Sequence, residues 1–161
     1  MLRSILYATD LGLYAPYVLQ HALALTRAFR AELHVVHAVE PMGLFAESVL
    51  QTYLDEGRLQ ELRSKGLSTV MESIEQRVLE AFRDEMGESQ QDMQLIRSVR
   101  VAQGDPPQVI LDEARKLGAD LLVVGSHSHG AAHDIPLGRT AARLLQLAET
   151  PVYLVPMLQH R

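Results

Sequence analysis

Five short apolar runs constrain this chain most: "SILYA" (4–8), "ELHVVHAVE" (32–40), "LIRSVRVAQG" (95–104), "ADLLVVG" (119–125) and "PVYLVPM" (151–157). Segments of helical period separate them. "APYVLQHALALTRAFR" (15–30) aligns Val18, Ala22, Leu25 and Phe29 on one stripe, with Leu19 and Ala28 alongside. "GLSTVMESIEQRVLEAFRDEMG" (66–87) aligns Leu67, Val70, Ile74, Val78 and Phe82. "DPPQVILDEARKLG" (105–118) reads as a helix with Asp105 as N-cap, Pro106 at the first helical position and Gly118 past its end. "GRTAARLLQLAE" (138–149) reads as the last helix. Parallel strands need a crossover, usually helical, so strict alternation predicts a parallel sheet covered on both faces. Right-handed crossovers make this a doubly wound α/β sandwich of five strands, with residues 5–7 and 121–124 adjacent at its centre.

The chain has 161 residues, which fits one domain spanning 1–161. Residues 42–65 hold Phe45, Val49, Tyr53 and Leu54 without a clear period and read as a variable insert, either a short helix or a flap. At this size roughly 70% of the unfolded surface can be buried, so no staple is required. There is no cysteine, which excludes thiol catalysis, disulfides and cysteinyl zinc sites. The formal charge of -5 argues against a nucleic-acid footprint, which needs a basic face. No run approaches the ~20 apolar residues of a membrane helix, and the opening "MLRSILYATD" is too short for a signal sequence, so no membrane insertion and a cytoplasmic location are expected.

In open α/β sheets, ligands bind outside the carboxyl ends of the strands. That rule selects three turns: 8–12 after the first strand, 38–43 after the second and 125–138 after the fourth. The last is the richest in polar groups. It holds Ser126, His127, Ser128, His129, His133 and Asp134 between Gly125 and Gly138, and Gly138, Arg139 and Thr140 open the next helix.

Three occupants compete for this turn. Phosphate is favoured by glycines that allow close backbone approach and by the amides at a helix N-terminus, and the Arg139 guanidinium could add a clamp. A metal such as zinc or nickel is suggested by H-x-H-x-x-x-H at His127, His129 and His133 with Asp134, but the spacing matches no known zinc site. The third reading is scaffold alone, with solvated histidines. Elsewhere, His34 and His37 fall on opposite faces of a strand by period two. Asp112, Glu113, Arg115 and Lys116 read as one solvated helix face. No nucleophile–base–acid set is evident, and no G-x-S-x-G elbow surrounds Ser126 or Ser128.

"ILYATD", "AELHVVHAVE", "GDPPQVILDEARKLGADLLVVGSHSHG" and "PVYLVP", in this order and spacing, resemble the universal stress protein family over nearly the full chain. The resemblance implies a Rossmann-like sandwich of sheet order 3-2-1-4-5 and homodimers joined through the last strand, here Val152–Val155. It implies adenine nucleotide binding in some members, with magnesium carried in by ATP. Those members carry G-x-x-G, nine residues, then G followed by Ser or Thr. Here Gly125 and Gly138 keep that spacing, while Ser128 stands at the second glycine and Arg139 at the hydroxyl position. By resemblance, Asp10 binds the ribose hydroxyls and Ala8, Ala38 and Val124 line the adenine. Gly125, Ser126, His127, Ser128, Gly138, Arg139 and Thr140 surround the phosphates.

The resulting expectation is a dimeric stress or regulatory protein that holds ATP, AMP or a related adenine nucleotide and hydrolyses it slowly at most. The alternative is a nucleotide-free dimeric interaction protein on the same fold. The protein partner and the stress signal are not written in the sequence.

Overall fold

The computed structural model describes residues 1–12, 14–39, 94–127 and 137–157, with residues 55, 57, 76, 77, 79, 80, 83, 84 and 92 between them. In chain order the elements are β1 (Ser4–Ala8), α1 (Ala15–Phe29), β2 (Glu32–Val39), β3 (Ile96–Gln103), α2 (Pro106–Leu117), β4 (Leu121–Gly125), α3 (Arg139–Leu147) and β5 (Val152–Val155). The expected insert at 42–65 lies outside the described residues except for positions 55 and 57. Of the helix expected at 66–87, the described positions 76, 77, 79, 80, 83 and 84 are helical.

The five strands form one sheet in the order β3-β2-β1-β4-β5. Every pairing is parallel, and β1 lies against β4 with Ile5 opposite Leu121 and Ala8 opposite Val124. The two-residue period of a strand sorts the core into two layers. Ile5, Tyr7, Leu33, Val35, Val123 and Val155 pack on one face with Val18, Leu19, Ala22 and Leu23 of α1. Leu6, Val36, Leu122 and Val124 pack on the other with Ile110, Leu111 and Ala114 of α2 and Leu144 of α3. Each fully buried aliphatic side chain contributes about 1.5–3 kcal/mol, so the central strands carry much of the stability.

Helix α1 buries a stripe rotated from the expected one. Leu23 and Thr26 are buried, whereas Phe29 is 43% exposed and Ala28 is exposed. Thr26 is accommodated because its hydroxyl donates to the Ala22 carbonyl at 2.7 Å. Helix α2 starts and ends where its punctuation predicts. Asp105 holds the N-cap position in extended backbone but makes no side-chain cap bond. Gly118 takes the left-handed C-cap at φ 60, and its amide closes on the Ala114 and Arg115 carbonyls.

Glu113 corrects the expectation of a solvated α2 face. Arg115 is exposed and lies 3.6 Å from the half-buried Asp112, but Glu113 is buried and its carboxylate meets Arg100 of β3 at 3.3 Å. At the amino end of the sheet, Asp120 accepts the Arg3 and Ser4 amides at 2.9 and 3.0 Å and returns its own amide to the Ser4 carbonyl. The Arg3 amide, then the Ser4 amide, hold its carboxyl below the usual value.

The two sheet edges differ. β3 exposes Arg97, Ser98, Arg100 and Gln103, whereas β5 reads Val-Tyr-Leu-Val with no charge. Beside β3, His34 sits 2.6 Å from Ser98 Oγ and 3.8 Å from Glu32, with only 11% of its side chain exposed. Burial is the largest influence on the ring and lowers its pKa from 6.5, with Arg97 adding to the fall while Glu32 and Glu113 oppose it. The unfolded chain therefore binds a proton more readily than the folded one. The His34 contribution is intact above pH 6.5 and declines as pH falls through that value toward the lower folded one. Urea titrations across this window should show wild type losing more stability on acidification than His34→Gln, and equal slopes would refute the assignment.

Candidate functional site

The carboxyl ends of β1, β2, β4 and β5 open into a cavity of about 330 Å³. Its shape follows from the two-faced sheet. On the α2–α3 side the strand ends carry Ala8, Ala38 and Val124, and short side chains there leave a slot. Pro106 and Ile110 of α2 and Ala141 and Leu144 of α3 form its walls. On the α1 side the lining turns polar, with Tyr14, His37, Asp10, Ser126 and His127.

The β1–α1 turn is organised by its own side chains. Thr9 Oγ1 accepts the Leu11 amide at 3.1 Å and Asp10 Oδ1 accepts the Gly12 amide at 2.8 Å. These bonds hold Leu11 at φ 59, a left-handed conformation that costs a non-glycine residue about 1–2 kcal/mol. The Thr9 amide bonds the Val36 carbonyl, and the Thr9 carbonyl accepts His37 Nδ1 at 2.8 Å. A carbonyl only accepts, so His37 Nδ1 carries a proton and the neutral ring keeps Nε2 as an acceptor. Beneath the turn, Tyr7 donates its hydroxyl to the Ala15 carbonyl at 3.0 Å. Burial first, and the Asp10 charge after it, push its phenol well above the usual range despite a bond with Thr9.

The β4–α3 turn is tied to the end of β5. The Ser126 amide donates to the Val155 carbonyl at 2.9 Å, and Ser126 Oγ accepts the Met157 amide at 2.8 Å. The same Oγ lies 2.8 Å from His127 Nδ1. The Gly138 amide donates to the Ser126 carbonyl at 2.8 Å, which closes the base of the turn. Gly138 has extended backbone at φ -68 and ψ 157 as N-cap of α3, with no side-chain cap on that helix. Gly125 has a packing reason for lacking a side chain, since a Cβ would lie 3.3 Å from Val18 Cγ2 on α1.

Among the residues singled out from sequence, Ala8, Asp10, Ala38, Val124, Gly125, Ser126, His127 and Thr140 line this one cavity. Gly138 is buried and Arg139 is exposed, and neither is among the lining residues described. Ser128, His129, His133 and Asp134 lie outside the described residues. No group of three metal-ligating side chains occurs among the described residues. The sequence reading missed Tyr14, His37, Ile110, Leu144 and Met157 as walls. Ile110 and Leu144 fall inside expected helices, and His37 and Met157 inside expected strands, where the sequence carries no mark of a cavity wall.

A doubly wound parallel sheet with its cavity at the carboxyl ends of the central strands defines a Rossmann-like α/β protein. The universal stress protein family model matches residues 1–156, and the chain belongs to that family. Universal stress protein YxiE of Bacillus subtilis is 26% identical over 161 residues, covering 96% of this chain and 99% of its own. Among solved structures, hypothetical protein MJ0577 superposes with a TM-score of 0.64 at 21% identity, covering 99% of each chain. Universal stress protein UspA from Lactobacillus plantarum gives a TM-score of 0.59 at 18% identity, covering 95% of this chain and 97% of that one. A universal stress protein in complex with cAMP gives 0.58 at 17% identity, covering 96% and 97%. No helix among the described residues is long and apolar enough to cross a membrane.

Proposed function

We propose that this protein is a cytoplasmic, homodimeric universal stress protein that holds an adenine nucleotide in the cavity at the carboxyl end of its sheet and serves a stress or regulatory role. The observation that carries this reading is the slot of Ala8, Ala38 and Val124 beside the Asp10 carboxylate. Short apolar side chains on three adjacent strands suit a flat base. Asp10 Oδ1 is engaged by Gly12, so Oδ2 is the atom for ribose hydroxyls. His127, Thr140 and the first turn of α3 lie where phosphate would follow, beside Gly125 and Ser126; Ser128, Gly138 and Arg139 join them in this proposal by the family resemblance alone. Magnesium would enter only with a polyphosphate. The cAMP complex of a protein of this fold supports an adenine ligand.

Denaturing freshly purified protein should release an adenine nucleotide. Calorimetry on the emptied protein should then show Asp10→Ala weakening binding by about 1–3 kcal/mol, the size of a hydrogen bond to a charged acceptor. No heat with ATP, ADP or AMP would reject the reading. The commitment of the Gly138 amide to Ser126 favours the second reading, a nucleotide-free dimeric interaction protein, and the same titrations separate the two.

Dimerisation is proposed through Val152–Val155. The carbonyls of Pro151 and Val155 bond β4, so by alternation Val152 and Leu154 turn their amides and carbonyls to the open edge. An uncharged apolar edge of this kind pairs readily with a second copy about a two-fold axis. Sedimentation at micromolar protein should give about twice the 17.9 kDa chain mass, and a monomer would refute this.

A further inference from the structure

We propose that Ser98 and His34 form a nucleophile–base pair beside the β3 edge of the sheet, and that Ser98 takes an acyl group from activated carboxylic esters. The pair is made by an irregularity in the ladder. Leu33 stands opposite Ile96, but the next residue, His34, stands opposite Ser98, so Arg97 is an extra residue in β3. In a regular ladder Arg97 would face His34 and Ser98 would face Val35. Bulges of this kind re-aim side chains and are frequent beside active sites. This one brings Ser98 Oγ to 2.6 Å from His34 Nδ1 across 64 residues of sequence, so no local pattern announces it.

Each partner has the surroundings its role requires. Ser98 is exposed, so an ester can reach it, whereas only 11% of the His34 side chain is exposed. Glu32 Oε2 lies 3.8 Å from His34 Nε2. A carboxylate on that side favours the tautomer with its proton on Nε2, which leaves Nδ1 to accept the Ser98 hydroxyl. Burial most of all, with Arg97 beside it, keeps the ring neutral at neutral pH against the pull of Glu32 and Glu113, and only a neutral ring can act as a base. Arg100 follows Ser98 by about 7 Å along the same side of the strand. Glu113 holds its Nε at 3.3 Å, so a fixed cation favours negative charge on a carbonyl oxygen bound beside Ser98.

In the transfer, Ser98 Oγ bonds to the ester's carbonyl carbon as its proton passes to His34 Nδ1. The carbonyl electron pair moves onto oxygen, then returns and breaks the bond to the leaving alcohol. The proton held by His34 goes to that alcohol's oxygen. An ester on Ser98 and a free alcohol result, and nothing is oxidised or reduced.

The test is incubation of the full chain with p-nitrophenyl acetate, followed by nitrophenol release and by peptide mapping in a mass spectrometer. An acetyl group should appear on Ser98 ahead of any lysine, and Ser98→Ala should lose it. His34→Asn keeps an acceptor oxygen near the Nδ1 position but is not basic. A folded His34→Asn variant should therefore acylate about a hundredfold more slowly, the low end of general-base contributions. The wild-type rate gives a readout that needs no variant. It should be flat above pH 6.5 and fall as His34 protonates below that value. A rate that climbs with hydroxide throughout, an acetyl group found only on lysines or the amino terminus, or equal rates in wild type and His34→Asn would each overturn the proposal. The pair lies outside the cavity lining, so none of these outcomes alters the nucleotide reading.

Discussion

Gly104→Ala is expected to destabilise the protein by about 2–4 kcal/mol, combining overpacking with an unfavourable backbone conformation. Gly104 joins β3 to α2 at φ 154, a conformation that side chains rarely adopt. A Cβ there would lie 2.8 Å from Val109 Cγ2. Val109 is β-branched and sits in the first turn of α2, so it has little rotameric freedom to yield. The backbone cannot rotate away cheaply either, because the Gly104 amide donates to the Val39 carbonyl at 3.0 Å. Urea unfolding should show the loss. Adding Val109→Ala should recover the steric part and leave the backbone part. A loss under about 0.5 kcal/mol, the size of an ordinary surface substitution, would refute the argument. The effect reaches the site, because Pro106 and Ile110 on the same helix wall the cavity.

Ala8→Ile is expected to cost at least tenfold in adenine-nucleotide affinity, about 1.4 kcal/mol, while the fold persists. Ala8 is the last residue of β1, opposite Val36 on one side and Val124 on the other, and it is only half-buried because the cavity lies over it. Isoleucine suits a strand, so the added carbons extend into the slot rather than disturb the ladder. Titration calorimetry beside a thermal unfolding curve separates lost binding from lost fold. Unchanged affinity in a folded variant would show that the base sits elsewhere.

Much of the architecture was legible because glycine, proline and alternation mark it locally. "DPP" and Gly118 bracket α2 to the residue, and the apolar run 121–124 is a strand buried on both faces. What escaped depends on partners distant in sequence. Glu113 reads as a solvent charge until β3 brings Arg100 to it. Phe29 and Leu23 exchange roles because apolar residues surround α1 on more than one side, and period alone leaves the phase of the stripe open. At the site, Ala8, Asp10, Ala38 and Val124, which the family resemblance singles out, line one cavity at the strand ends that the turn rule points to. Ile110 and Leu144 could not be told from core, since the cavity is a gap in that core. The bond from Gly138 to Ser126 has no sequence signal, because it joins backbone groups across a turn.

The unlike edges of the sheet bear on how large an assembly can become. A strand edge is a template for polymerisation, and a sheet with two bare edges could add copies without limit. Here β3 exposes Arg97, and its Arg100 is paired with Glu113 of α2. Two copies paired edge to edge through β5 would make one continuous ten-stranded sheet, twice the five strands of the single chain, with an arginine-bearing strand at each end. If copies pair through β5, Arg97 meeting its equivalent on another β3 would disfavour further addition at that edge, while Arg100 stays engaged with Glu113.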